Sequence, residues 1–277
     1  EGLTVFRDQQ FSADMRSAPV QRIADVKALR ARQFPEDQGP LAHPVRPEEY
    51  VEINNFYTAT VYEKGAEVIR MLRTLVGADA YRRALDLYFD RHDGQACKIE
   101  DFRRCFEETT GRDLAQFALW WHQAGTPRVS VAEDWDGDTL TVTLRQRLDP
   151  TPGQPDKAPM LIPLALGVIG ADGSEQVPTT LVELDTPEKT LSFDGLGAAG
   201  RPVLSVNRGI SAPVIVEQGL GAEARRHLLA HDTDPVSRWE AGRALAIDIA
   251  LERIAGIRTP LEPWADALGR VLGDPEL

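Results

Sequence analysis

The most informative run of reactive side chains is Asn54-Asn55-Phe56-Tyr57-Thr58-Ala59-Thr60-Val61-Tyr62-Glu63-Lys64-Gly65-Ala66-Glu67. The helix expected from Thr60 to Val76 puts Tyr62, Gly65, Ile69, Leu72 and Val76 on one stripe, at spacings of three and four. Tyr62 therefore opens the buried face, and Gly65 removes bulk one turn above it. A phenol placed this way points inward from a helix end and needs a hydrogen-bond partner. Periodicity alone favours a core tyrosine with a satisfied hydroxyl; the alternative is a phenol aimed at a site. Glu63, Lys64 and Glu67 could suggest acid–base work. On a helix they read instead as solvated or structural, with Glu63 and Glu67 a like-charge pair four residues apart.

Other candidate constellations are weaker. His227 and His231 in His-Leu-Leu-Ala-His imitate a zinc-binding helix, but no glutamate follows the first histidine and no third ligand is near, so they read as surface histidines. Asp134, Asp136 and Asp138 surround a hairpin glycine without the terminal glutamate of a calcium loop. Cys97 and Cys105, the only two cysteines, are too few for a disulfide framework and lack Cys-x-x-Cys spacing, so they read as reduced thiols of a cytoplasmic protein. His43 and His92 read as loop or helix-end residues, and Trp120-Trp121 as core packing.

These residues must be positioned by three compositional territories. Residues 1–125 read as mostly helical. Val20–Arg32 is followed by a segment rich in proline (Pro35, Pro40, Pro44, Pro47), then by helices over Thr60–Val76, Ala78–His92 and Ile99–Thr109. A last helix is expected from an Asp113 N-cap through Trp120-Trp121 to Gly125. At Thr126-Pro127 the texture changes to alternation. Strands are expected around Val129–Val131, Leu140–Leu144, Leu161–Ile169, Gln176–Leu184, Thr190–Phe193, Val203–Val206 and Val214–Glu217, with Asp136-Gly137 as a hairpin turn. Regular short strands without intervening helices predict an antiparallel β-sandwich over 126–217 rather than a parallel α/β sheet. From 218 helical periodicity returns, over Ala222–His231, Pro235–Ala255 and a further helix near Pro260, as the beginning of an all-helical part over 218–277. The fold class is thus multidomain α+β.

Composition excludes several functions. The chain has 277 residues, 42% hydrophobic and 27% charged, with a formal net charge of −12. Without a basic cluster, this balance excludes nucleic acid and anionic membrane surfaces as partners. No uninterrupted apolar run approaches eighteen residues, so no membrane insertion is expected.

Two segments carry a resemblance. Glu1-Gly2-Leu3-Thr4-Val5-Phe6-Arg7-Asp8 and Val61-Tyr62-Glu63-Lys64-Gly65-Ala66 resemble signatures of the aminopeptidase N family of zinc metallopeptidases. The bacterial branch of that family is matched further at Ala42-His43-Pro44-Val45-Arg46-Pro47, Tyr88–Gly94, Gly125-Thr126-Pro127, Ser211-Ala212-Pro213-Val214 and Asp234–Trp239. The resemblance runs in order over essentially the whole chain. It implies that residues 1–125 are the helical C-terminal part of a thermolysin-like catalytic domain. It also implies that Glu1 is a zinc ligand and that Tyr62 stabilises the tetrahedral intermediate of peptide hydrolysis. Tyr57, and less directly Asn54, would line the substrate pocket. The substrates implied are peptides with a free N-terminus, the cofactor one zinc ion in the complete parent, and the form a monomer.

The sequence departs from the family pattern in one respect: it contains neither His-Glu-x-x-His nor the Gly-x-Met-Glu-Asn strand that grips a substrate's free amine. The expectation is a chain truncated at both ends and inert by itself, cut from an active parent. A non-catalytic scaffold with a degenerate site and an epoxide-hydrolysing relative are the rival readings.

Overall fold

The computed structural model describes residues 1–274 and begins with helix α1 (Gly2–Met15). Helix α2 (Ala18–Ala28) starts on a proline at its second position, where the missing N–H costs nothing. It runs into a π-helical turn over Leu29–Gln33 and a single turn α3 (Phe34–Asp37). After the irregular proline-rich stretch, a second π-helical turn over Thr60–Lys64 opens α4 (Gly65–Val76). The helix expected over Thr60–Val76 is therefore present, but its first turn is widened. Helices α5 (Ala78–His92) and α6 (Ile99–Thr110) follow, the latter closed by Gly111 in the left-handed conformation at φ 69°.

The helix expected from Asp113 to Gly125 is mostly absent. Asp113 does accept the Ala115 N–H, but residues 115–118 form turns and only α7 (Leu119–His122) is helical. Backbone bonds here span three residues, from Leu119 to Gln116, Trp120 to Phe117 and Trp121 to Ala118. The Trp120 indole donates to the Leu161 carbonyl at 2.8 Å in the core, and Gln123 donates to Ala158. Tertiary anchoring of these side chains replaces a regular helix with a tight strap.

Seven strands then build two sheets. β1 (Arg128–Trp135), β2 (Leu140–Arg147), β5 (Glu188–Phe193) and β7 (Ile215–Glu217) form one sheet, in the order β5-β2-β1-β7. β3 (Ile162–Ile169), β4 (Glu175–Leu184) and β6 (Val203–Val206) form the other, in the order β4-β3-β6. All pairings are antiparallel except β1 with β7, where Arg128 lies opposite Ile215 in a parallel pair. β3 is buried at every position, which explains its unbroken apolar sequence: both of its faces are covered. Helices α8 (Ala222–His231), α9 (Pro235–Ile254) and α10 (Glu262–Leu272) complete the described chain. Asp234 caps α9 by accepting the Ser237 N–H at 2.7 Å.

One hydrophobic cluster runs from Phe6, Leu72 and Trp120 through Val129, Leu140, Ile162 and Leu166, so the helical part and the sandwich share a core. The last helices pack on the sandwich through Ile169, Leu228, Leu229 and Ala241. His227 and His231 are not free surface residues. His227 Nε2 contacts the Gly170 carbonyl at 2.7 Å, and His231 covers Gly173, where the space a Cβ would occupy is already filled.

Candidate active site

Two glycines bring the sequence-singled residues together. α1 crosses the start of α4 so closely that a Cβ on Gly2 would lie 2.4 Å from the Gly65 carbonyl carbon. A Cβ on Gly65 would lie 3.1 Å from Gly2 Cα. Backbone therefore packs on backbone, an approach that a side chain on Gly2 would block and one on Gly65 would crowd. Glu1 precedes Gly2 and Tyr62 lies three residues before Gly65, so this crossing places carboxylate beside phenol.

The Tyr62 phenol stands near enough to the Glu1 carboxylate to feel its negative charge. Partial desolvation, then the negative charge of Glu1, hold the phenol above its ordinary value of 10, so at neutral pH it is protonated and able to donate. Tyr57, 64% exposed, sets its ring 6.3 Å from that of Tyr62 at a 36° tilt. Asn54 is exposed in the short helical turn Ile53–Phe56, and its carbonyl accepts the Tyr57 N–H at 3.3 Å. No hydrogen bond ties the Asn54 side chain to Glu1 or Tyr62. The structure thus brings together Glu1, Tyr62 and Tyr57, with Asn54 joined to them only through backbone.

One carboxylate oxygen donor beside a phenol fits one corner of a zinc site. A full site needs three protein ligands or more, and among the described residues no group of three His, Cys, Asp or Glu side chains could hold a metal ion. Asp136 spends its carboxylate on the N–H groups of Asp138 and Thr139, so the acidic hairpin is a turn and not a cation loop.

The turn that carries Tyr62 is held by Gln33, Glu36 and Asp37, which the sequence did not single out. Glu36 Oε2 accepts both the N–H and the hydroxyl of Thr60 at 2.7 Å, and Gln33 donates to the same hydroxyl at 3.3 Å. Lys64, 1% exposed, donates to Asp37 at 2.8 Å and to the Gly125 carbonyl at 2.8 Å. Asp37 also accepts the Thr126 hydroxyl at 2.9 Å. Burial alone would push the Asp37 carboxyl up, but the Lys64 charge and these hydrogen bonds hold it below its ordinary 3.8.

One turn on, Glu67 faces Arg22 in a two-pronged pair with both contacts at 2.6 Å, and Arg22 also reaches the Gly209 and Ile210 carbonyls. Lys64 and Glu67 are therefore structural, as their helical setting suggested. They are buried rather than solvated, and Glu67 is paired with Arg22 while Glu63 faces Arg32. Asp37 carried no periodic signal; only its place in Phe34-Pro35-Glu36-Asp37, a helix start inside a proline-rich stretch, hinted at a role.

Residues 1–121 match the Peptidase family M1 domain. Residues 125–219 match a domain of unknown function (DUF3458) with an Ig-like fold, and residues 222–277 its C-terminal companion of ARM repeats. The chain is 54% identical over 278 aligned positions to aminopeptidase N of Caulobacter vibrioides, covering 99% of the chain and 32% of that protein. It is 41% identical to aminopeptidase N of Escherichia coli, covering 88% of the chain and 29% of that protein. The chain thus spans about a third of the length of these relatives. The crystal structure of Legionella pneumophila aminopeptidase A in complex with aspartic acid shares the fold, with a TM-score of 0.81 at 24% identity, over 100% of this chain and 30% of that one.

Proposed function

We propose that the chain, whose residues 1–121 match the Peptidase family M1 domain, is part of a zinc-dependent aminopeptidase acting on peptides with a free N-terminus. The observation that carries this reading is the carboxylate of Glu1 set against the phenol of Tyr62, on two helices in backbone contact. In the proposed enzyme Glu1 is one of three ligands to a single zinc, the other two being histidines of a His-Glu-x-x-His helix outside these 277 residues. The metal, when bound, supplies Lewis-acid polarisation of the scissile carbonyl and lowers the pKa of water. Tyr62 donates its hydroxyl proton in a hydrogen bond to the oxygen on which negative charge develops, an interaction that strengthens toward the transition state. Tyr57 forms a wall of the substrate approach, with Asn54 behind it.

Within that enzyme we assign residues 1–125 to the helical end of the catalytic domain, 126–217 to the sandwich and 218–277 to the start of the helical domain. The protein is a monomer of the cytoplasm, where Cys97 and Cys105, both free, stay as thiols. No helix of the described residues is long and apolar enough to cross a membrane. By itself the 277-residue chain binds zinc poorly and turns over no peptide.

The test is to read the coding sequence upstream, express the complete protein and assay alanine and arginine anilides. Activity that is lost on chelation, and that falls about 10²–10³-fold in Tyr62→Phe, is expected. A complete reading frame without His-Glu-x-x-His would make the protein a non-catalytic scaffold. Turnover by the purified 277-residue chain would overturn the claim that this part is inert.

A further inference from the structure

The turn that presents Tyr62 is a π-helical turn, a geometry with poorer backbone bonding than an α-helix that persists only where surrounding contacts fix it. Both of its ends are tied to one short segment. Thr60, at the start, is held by Glu36 and Gln33; Lys64, at the end, is held by Asp37. Tyr62 lies midway between the two ties. Lys64 and Asp37 are 1% and 3% exposed, so neither charge is there for solubility, and a buried charge persists only when paired. The pair is closed on the strap entering the sandwich: Lys64 donates to the Gly125 carbonyl, and Thr126 donates to Asp37.

We propose that Lys64 is a positioning residue for Tyr62, and that the Lys64–Asp37 pair holds the widened turn whose pitch aims the phenol at Glu1. The physical basis is angular. A π-turn carries one residue more than an α-turn, and each α-helical residue advances about 100° around the axis. If Lys64 lost its anchor and the turn relaxed to α geometry, Tyr62 would rotate against α4 by up to about that angle and leave Glu1. Gly65 leaves the next position in contact with Gly2, so only the residues before it are free to move. The same pair makes the position of the phenol depend on Gly125-Thr126, the junction with the sandwich, which no substrate needs to touch.

The catalytic half of this proposal rests on the aminopeptidase reading; the mechanical half does not, and the experiment separates them. In the 277-residue chain, Lys64→Met and the milder Asp37→Asn are compared with the unaltered chain by amide hydrogen exchange. The expected result is exchange at least 10-fold faster at residues 60–64, with α5 and α6 unchanged as the control for folding. Unchanged protection at 60–64 would overturn the proposal.

In the complete enzyme, Lys64→Met is expected to lower kcat about 10–100-fold with KM within twofold. In a Tyr62→Phe background the same substitution should cost less than a further twofold, because a residue acting through the phenol has nothing left to position. Additive losses, or an unchanged kcat, would show that Lys64 serves stability alone. If the complete enzyme proved inactive, the functional reading would fall, and the exchange result alone would decide whether Lys64 holds the turn.

Discussion

Gly2 and Gly65 touch backbone to backbone, and this single crossing sets the distance between Glu1 and Tyr62. Its asymmetry gives a prediction. A methyl on Gly2 would stand 2.4 Å from the Gly65 carbonyl carbon, a position no real Cβ occupies, whereas a methyl on Gly65 meets Gly2 Cα at 3.1 Å. Gly65→Ala also gains helix propensity of up to about 1 kcal/mol, which offsets part of its crowding. Urea unfolding should therefore show Gly2→Ala destabilised by about 1–3 kcal/mol, with Gly65→Ala clearly milder. The reverse order would mean that the helices part easily here.

The second prediction contrasts two ion pairs of the same chemistry. Arg22 and Glu67 are 8% and 2% exposed and meet through two contacts. Arg82 and Asp86 form an exposed pair four residues apart on α5. Arg22→Met leaves Glu67 with only Arg70, 3.5 Å away, and frees the Gly209 and Ile210 carbonyls, so a loss of about 3–5 kcal/mol is expected. Arg82→Ala should leave the unfolding midpoint almost unchanged, because solvent screens an exposed pair. Chemical denaturation of the two variants side by side checks this.

Much of this architecture was legible because it obeys local periods. α5, α6 and α9 fall within a residue or so of where apolar spacing and caps placed them, and Leu140, Val142 and Leu144 alternate inward as read. The elements that escaped have no local period. A π-turn is set by its anchors, and Asp37 stands 27 residues from Lys64, so no window of sequence contains the pair. The strap 113–125 had a helix's cap and composition, but its course is dictated by Trp120 bonding to Leu161. β7 pairs in parallel because it returns from the far sheet to the open edge of β1. Glu1 carried no physical signal of its own; it stood out only through resemblance, and its neighbour Tyr62 became meaningful once the helices were seen to cross.

Acid stability supplies the third prediction. Asp37 and Glu67 are both held below their ordinary values of 3.8 and 4.5: burial opposes ionisation, but Lys64 in one case and Arg22 with Arg70 in the other override it. A carboxylate with a depressed folded value contributes stability that is present above its ordinary value and lost as pH falls through the depressed one. Melting temperature should thus decline from about pH 4.5 downward. Glu67→Gln, less stable at pH 7, should show a flatter decline over the same range. Parallel slopes in the two proteins would show that Glu67 does not drive acid unfolding.

Alkaline behaviour should depend on Lys157, the fourth prediction. Its ammonium donates to the Ala124 carbonyl, the Thr151 hydroxyl and Gln154, beside the Lys64–Asp37 pair. Burial, then repulsion from Lys64, pushes it down from 10.5 to about 8, with Asp37 opposing. Between those two values the unfolded chain holds a proton that the folded chain has released, so the unfolded state binds more protons and stability rises with pH. Below about 8 both states are protonated and the contribution levels off at its least favourable value. The size is moderated by the partial exposure of the side chain. Scanning calorimetry from pH 7.5 to 10 should show a rising component in the unaltered chain that Lys157→Met lacks, with Lys64→Met shifting its onset to higher pH because the repelling charge is gone. Identical pH profiles for the unaltered chain and Lys157→Met would show that the ammonium at this junction is solvated as freely as in the unfolded chain.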